Sequence, residues 1–433
     1  MIDIQLIRDN PEAVKEKSAQ KGYEVDIDRL LKLDSERRGL LQTVEVLRQE
    51  RNQVAEKTKQ AGGKPDQQQI ERGRQIKIEL AEREGSLAQN EAELLTLLKS
   101  VPNMPLDTVP VGATEDENQV IKTVGEKPQF DFEIKNHAQI AEAKVWLDKE
   151  RASKIAGARF VYLKGALVRL EMALWLFGVD VLGNKEILQK IISDNNLNIS
   201  AKPFTPVIPP AVAKKEIFEA TGRLDKEGQT YKIEDEDLWL NASAEHTLAP
   251  MYYKEILNEQ DLPLRYVGYT TAFRREAGTY GKDTEGIFRL HQFNKLEMES
   301  FTTADTSLSE HLFMVAIQEY LMQQLGLPYQ VLEKCTADIG RPNAKGVDIN
   351  VWLPSQNKYR ETHTADYISD FQTRSMQTRV RRSSGEVELA HTNDATAFSQ
   401  RPLIGIIENF QTAEGDVVVP VALRPYMGGI ERI

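Results

Sequence analysis

Residues 273–297 read FRREAGTYGKDTEGIFRLHQFNKLE, and their types and spacing suit chemistry on a charged, ring-bearing substrate. In an extended chain, side chains two apart share a face. That places Arg274 with Glu276 before a polar, glycine-bearing loop, and Arg289, His291, Phe293, Lys295 and Glu297 together after it. A half-buried strand would put apolar residues on such a face, whereas this one carries cations, an aromatic ring and carboxylates. A nucleoside triphosphate fits it: Arg for phosphate oxygens, Phe for a stacked base, and Glu to accept from an amino group. A solvated hairpin with a salt-bridged face is the plainer alternative and stays open on pattern alone.

The elements that must hold these residues follow from the rest of the chain. Its 433 residues allow two or three domains and a large core. With 40% hydrophobic and 28% charged residues the composition is that of a soluble globular protein. A net charge of −11 does not favour nucleic-acid binding over the whole surface, so any such contact must be a local patch. The one cysteine, Cys335, excludes an intrachain disulfide and a cysteine-based zinc site. The opening MIDIQLIRDN has no basic leader, and no apolar run approaches membrane-spanning length, so no membrane association and a cytoplasmic location are expected.

Residues 27–100 differ from everything after them. Leu33, Leu40, Leu47 and Val54 recur every seven residues, with Arg37, Val44 and Arg51 at the alternate seam position; Leu80, Leu87 and Leu94 repeat the spacing beyond an AGGKPD break at 61–66. Both runs lack proline and are rich in good helix formers. The pattern predicts an antiparallel coiled-coil hairpin. A helix of about 33 residues rising ~1.5 Å each is ~50 Å long, a projecting arm. Around its tip, residues 48–77 hold Arg48, Arg51, Lys57, Lys59, Lys64, Arg72, Arg74 and Lys77 against Glu50, Glu56, Asp66 and Glu71. A basic tip on an acidic body can meet a phosphate backbone; a solvated coiled coil used for dimerisation is the other reading.

The proline-bearing, acidic stretch 99–118 reads as a linker. Beyond it, the helix-like RLEMALWLFGVDVL (169–182) mixes with the strand-like VDINVWLP (347–354), GEVELAHT (385–392) and DVVVPVAL (416–423). Without strict βαβ alternation this predicts an α+β domain around a mostly antiparallel sheet. Neither a GxxxxGK[ST] loop nor a strand-linked GxGxxG occurs, which speaks against P-loop and Rossmann sites.

FRREAG, followed by Arg289-x-x-x-Phe293-x-x-x-Glu297, resembles motif 2 of the class II aminoacyl-tRNA synthetases. The N-terminal hairpin, ASAEHTLAPMY (242–252), PLRYVGYTTAFRREAG (263–278) and LRPYMGG (423–429) together resemble bacterial-type seryl-tRNA synthetase, in that family's order and over essentially the whole chain. The resemblance implies a class II antiparallel sheet flanked by helices. It implies a tRNA-binding domain at 1–104, a linker at 105–119 and a catalytic domain at 120–433. A homodimer is also implied, with Pro209 or Pro210 of VIPP at its interface, and QRPLIGIIENF (400–410) stands for motif 3.

The activity implied is the ATP-dependent activation of L-serine to seryl-adenylate and its transfer to the 3′ end of tRNA(Ser), with tRNA(Sec) left open as a second acceptor. By the family pattern Arg274 holds the α-phosphate and the serine carboxylate, Glu276 accepts from the adenine amino group, and Phe293 stacks the ring. Arg289 and Arg401 bind the outer phosphates, and Arg274, Glu276 and Arg401 are the catalytic set. Arg275, Thr362, His363 and Thr364 complete the ATP contacts, and Glu361 is the Mg²⁺ ligand. Serine falls to Ser243, Ala244, Glu245, Arg274, Glu297 and Thr396, and tRNA to Arg48, Arg51, Lys57, Arg72 and Arg74.

Three segments depart from the family pattern. Ser243 stands for a usual threonine. ETHTADYISDFQ (361–372) stands where EISSCSNCTDFQ is commoner, and Asp394-Ala395-Thr396 stands for Asn-Gly-Ser. A paralogue that passes its adenylate to a non-tRNA acceptor would lack the arm. A non-catalytic tRNA-binding homologue would lack Arg274, Glu276 or Arg401.

Overall fold

The computed structural model describes residues 1–60, 62–63, 65–224, 229–276 and 285–433. Residues 277–284 of the glycine-bearing loop and Lys64 of the basic tip lie outside them. The chain divides into two compact units, Met1–Met104 and Pro105–Ile433.

In the first unit, helices α1 (Ile27–Gln60) and α2 (Gln67–Ser100) form the hairpin. Gly62 and Gly63 turn it at φ 81°, a left-handed conformation that suits residues without a Cβ. Asp66 then starts α2 with a reciprocal capping box to Gln69. Leu30, Leu33, Val44, Leu47, Ile76, Leu80 and Leu94 bury the seam. Arg51, expected in that seam, is exposed instead. Ion pairs cross the hairpin at Arg29–Glu93 (2.7 Å), Arg48–Glu84 (2.7 Å) and Arg72–Glu50 (2.6 Å). They lock its antiparallel register.

The second unit is built on an eight-stranded sheet. Its strands are β1 (Gln119–Val124), β2 (Thr205–Val207), β3 (Leu264–Phe273), β4 (Gln292–Thr302), β5 (Tyr329–Glu333), β6 (Lys345–Leu353), β7 (Lys358–Ser369) and β8 (His391–Ser399). Their spatial order is β1-β5-β6-β7-β8-β4-β3-β2, antiparallel throughout except for the parallel β2–β3 pair. Alternation divides the sheet. On one face Leu296, Met298, Ala365 and Phe398 join the main core with helices α3 (Ala166–Gly183) and α5 (Ala304–Leu325). Gly178 of α3 sits so close that an added Cβ would lie 2.8 Å from Leu296 and 2.9 Å from Phe398. The other face carries the charged residues.

The run DVVVPVAL is not a strand. Val417 and Val419 are buried, yet only isolated bridges (Gln411–Val417 and Val418–Arg432) form, and a 3-10 turn over Val421–Met427 follows Pro420. An apolar run supplies burial without a ladder when proline, which has no N–H to donate, interrupts it.

Candidate active site

The charged face opens into a cleft of about 250 Å³. Arg274, Glu276, Arg289, Phe293, Lys295, Glu361, Thr362, Thr364, Thr396 and Arg401 all line it. Strand alternation accounts for only part of this gathering. Strand β3 ends at Phe273, and Glu276 adopts a left-handed φ of 48°. Arg274 and Glu276 are therefore brought together by a turn instead of a shared strand face. The turn is pinned by Arg274 N–H donating to the His291 carbonyl (2.9 Å), with His291 Nδ1 2.9 Å from the Arg274 carbonyl oxygen. Arg159 donates to the Glu276 carbonyl at 3.3 Å, and Arg289 lies 3.6 Å from the Glu276 carboxylate.

Two arginines lie against rings. The Arg274 guanidinium is 5.2 Å from the Phe293 ring centre, and Arg401 is 5.2 Å from that of Phe288. Arg360 covers Phe288 too, at 4.2 Å. Arg274 also donates to the Ala242 carbonyl (3.2 Å), which ties motif 2 to the ASAEHT segment. Burial, and then Arg401, pull the Arg274 guanidinium below its ordinary pKa. Two cations facing one cleft are held at a cost that an anionic ligand would relieve.

Arg401 is the first residue of helix α6 (Arg401–Asn409). It pairs with Glu361 of β7 at 3.0 Å. Burial works to raise Glu361, but Arg401 and Lys334 outweigh it and bring the carboxyl down to about 2.

His363 does not join the cleft. Ile349 pairs with His363 but Asn350 pairs with Glu361, so Thr362 is an extra residue on β7. Such a bulge re-aims the side chains on either side of it. Glu361 faces the cleft while His363 is buried, 3.1 Å from the Ala397 carbonyl and 2.8 Å from Thr362 Oγ. Burial lowers its imidazole to about 3, which leaves it neutral. Arg275 is also outside the cleft lining: it is exposed, with its N–H bonded to the Gln229 carbonyl.

Ser243, Ala244, Glu245 and Glu297 do not line the cleft; they are buried beside it, where short helix α4 (Glu245–Leu248) carries the Ser243-Ala244-Glu245 segment. It can sit on the sheet because β3 has Gly268 beneath it: an added Cβ would lie 2.6 Å from Leu248 and 3.3 Å from Ala244. Gly268 pairs with Glu297, and Glu297 pairs with Thr396. Lys295 bridges Glu297 (2.5 Å) and Ser243 Oγ (3.3 Å). Glu245 is buried and accepts from Arg223 Nε (2.7 Å) and Gln372 (2.9 Å). Burial pushes Glu245 up, but Arg223 and His246 outweigh it and hold the carboxyl below its ordinary range. Two carboxylates, a hydroxyl and a lysine thus meet beside Arg274.

Arg223, Lys334 and Phe288 belong to this site, yet no sequence motif marked them. Each enters through tertiary pairing. In the arm, Arg48 and Arg72 are engaged by glutamates, whereas Arg51, Lys57 and Arg74 are exposed and form no ion pair among the described residues.

Residues 230–410 match the tRNA synthetase class II core domain (G, H, P, S and T), and residues 1–105 match the seryl-tRNA synthetase N-terminal domain. The chain is 39% identical to the serine–tRNA ligase of Exiguobacterium sibiricum and 38% identical to that of Syntrophotalea carbinolica, with all of each chain covered. Among solved structures it is similar to seryl-tRNA synthetase from Pyrococcus horikoshii complexed with ATP, at 35% identity and a TM-score of 0.89. That match covers 100% of this chain and 99% of the other. It is also similar to the cytoplasmic serine–tRNA ligase of Naegleria fowleri in complex with AMP, at 28% identity, a TM-score of 0.84, and 100% and 98% coverage. A class II sheet with its charged face open, preceded by the helical hairpin and matched end to end, places the chain in the seryl-tRNA synthetase family of class II aminoacyl-tRNA synthetases.

Proposed function

We propose that the cleft joins L-serine to ATP as seryl-adenylate and passes the seryl group to the 3′ end of tRNA(Ser). The observation that carries this reading is the convergence of Arg274, Arg289, Arg401, Lys295 and Thr396 on one cleft, with Glu297 buried against Lys295 and paired with Thr396, and Glu245 buried in the neighbouring segment. In the first step a serine carboxylate oxygen attacks the α-phosphorus and pyrophosphate leaves. In the second, the terminal ribose hydroxyl of tRNA attacks the acyl carbon and AMP leaves. Neither step needs a protein nucleophile; positioning and charge neutralisation supply the rate.

In this reading Arg274 spans the α-phosphate and the serine carboxylate, Glu276 accepts from the adenine amino group, and Phe293 stacks the base. Arg289 and Arg401 take the outer phosphates. Glu245 and Glu297 receive the ammonium and the hydroxyl of serine, with Thr396 and Ser243 beside them. Pairing the substrate hydroxyl is what rejects alanine, because the site's own polar groups would otherwise be left unpaired.

Among the described residues no group of three or more His, Cys, Asp or Glu would hold a metal alone. Mg²⁺ is typically held by one or two carboxylates together with substrate phosphates, and Glu361, half-exposed in the cleft, fits that mode. When bound, the ion would supply charge neutralisation at the phosphates.

The hairpin of the first unit would meet the tRNA through Arg51, Lys57 and Arg74, with Arg48 and Arg72 holding its two helices in register. A second copy of the chain is expected at the VIPP end of β2, where Ile208 is 85% exposed. No described helix is long and apolar enough to cross a membrane, and a cytoplasmic setting suits the reaction. The test is charging of a tRNA(Ser) transcript with labelled serine. Acid-precipitable, alkali-labile seryl-tRNA that requires ATP supports the reading, and its absence sinks it. A tRNA(Sec) transcript in parallel decides the second acceptor.

A further inference from the structure

One row of the cleft sheet lies a pleat deeper than Glu297 and Thr396. Glu299 of β4 pairs with Asp394 of β8, and Asp394 pairs with Asp366 of β7. Three carboxyl groups therefore stand side by side across three adjacent strands, two residues along from the cleft floor and on its face. Glu299 is 0%, Asp394 3% and Asp366 5% exposed. Both oxygens of Glu299, and Oδ1 of Asp394 and of Asp366, have no hydrogen-bond partner among the described residues.

The charged groups facing this row come from several elements. Strand β4 adds Glu297 and Lys295, helix α4 adds Glu245, and the segment before β6 adds Lys334. Arg223, after the helix Lys215–Thr221, lies between Glu245 (2.7 Å) and Asp394 (3.6 Å). Glu245, Glu297, Glu299, Asp366 and Asp394 thus outnumber the nearby cations Arg223, Arg274, Lys295 and Lys334 among the described residues. Opposed like charges in a dry site are costly, and a retained proton lowers that cost. Burial first, and then the neighbouring carboxylates, raise Glu299 and Asp394 well above the ordinary range.

We propose that Glu299 and Asp394 are positioning residues for the amino-acid subsite, the pair keeping a proton that leaves when the substrate's ammonium arrives beside Glu245 and Glu297. The inference rests on the reading of those two glutamates as the amino-acid subsite. Arg223 is the lever. While the Glu299–Asp394 pair keeps its proton, Arg223 stays on Glu245 and damps its charge. An ammonium at Glu245 and Glu297 brings a positive charge that stabilises the deprotonated row. The proton passes to solvent, and Asp394, now an anion, draws on Arg223.

The sign follows from linkage. The free protein holds the proton and the bound cation disfavours it, so serine binds more tightly as pH rises through the range in which the row titrates. One proton corresponds to roughly tenfold in serine KM per pH unit.

The experiment measures serine KM and kcat in ATP–pyrophosphate exchange against pH for the wild-type protein, Glu299→Gln and Asp394→Asn. Calorimetry of serine binding to the wild type, in buffers of different ionisation enthalpy, counts the proton directly and can overturn the proposal even if neither variant folds. The expected result is a wild-type serine KM falling roughly tenfold per pH unit, with about one proton released. In both variants the slope flattens, while the ATP KM keeps its wild-type profile. A variant slope equal to the wild type's, or serine binding without proton release, overturns the proposal. Wild-type protein with no serine-dependent exchange would sink the subsite reading itself, and this inference with it.

Discussion

Arg401 holds Glu361 twice: its Nη1 lies 3.0 Å from the carboxylate and 3.0 Å from the backbone carbonyl. The start of α6 is thereby tied to the bulged segment of β7. The guanidinium is poised at the cleft wall, with its charge shared by a carboxylate that a divalent cation could take over.

Replacing Arg401 removes both the phosphate partner and the tie. Arg401→Ala is expected to slow ATP–pyrophosphate exchange by about 10²–10³-fold, the usual loss when one preorganised donor is deleted from a charge-stabilising site. Arg401→Lys keeps the charge but not the planar fork, and should recover only part of the rate. Glu361→Gln should raise the Mg²⁺ concentration needed for half-maximal exchange. The check is a Mg²⁺ titration of all three variants. A titration midpoint unchanged in Glu361→Gln would count against Glu361 as a metal ligand.

Gly268→Ala tests how α4 is seated. Its Cβ would fall 2.6 Å from Leu248, so the helix must lift or Leu248 must move. Overpacking of this kind costs about 1–3 kcal/mol. Lifting α4 carries Glu245 away from Glu297. Serine KM should rise several-fold with the ATP KM nearly constant, and thermal melting should record the stability loss. A serine KM equal to the wild type's would show that α4 need not sit at this height.

The arm makes a prediction that separates its arginines by role. Arg51→Ala, Lys57→Ala and Arg74→Ala together should weaken tRNA charging and flatten its salt dependence by roughly one unit of slope per lost phosphate contact. Pyrophosphate exchange should be left in place. Arg72→Ala instead releases Glu50 and Glu79, and should lower the melting temperature of the hairpin. Equal loss of exchange and charging in the triple variant would remove the tip from tRNA recognition.

His363 gives a pH prediction. Its folded-state value of about 3 lies below the unfolded 6.5, so between these the unfolded chain binds more protons. The stability owed to the neutral imidazole is complete above pH ~6.5 and falls by up to ~1.4 kcal/mol per pH unit on acidification. Replacing it with Gln removes that slope. Unfolding midpoints of wild type and His363→Gln, compared from neutral to acid pH, should converge as the pH falls. Parallel curves would mean that the imidazole titrates normally.

Much of this architecture was legible because its signals are periodic or dense in charge. Heptad leucines marked the hairpin, and alternation with arginine and glutamate marked the strands around motif 2. Other features depend on one-residue irregularities. Thr362 as a bulge turns His363, an ATP contact by the resemblance, into the core, and the left-handed Glu276 enters the cleft from a turn, so alternation gave Glu276 the wrong element. Arg223 and Lys334 have no local pattern at all; only the fold brings them to Glu245, Asp394 and Asp348. DVVVPVAL looked like a strand because apolar runs report burial, and burial here needed no ladder. Residues 277–284 of the expected loop lie outside the described residues.

The central claim is that this cleft activates serine. ATP–pyrophosphate exchange measured in parallel with serine, threonine, alanine and cysteine tests it most directly. The account predicts exchange with serine far above the other three, with alanine rejected most strongly because Glu297 and Thr396 would lose their hydroxyl partner. Exchange driven by one of the others while serine gives none would contradict it.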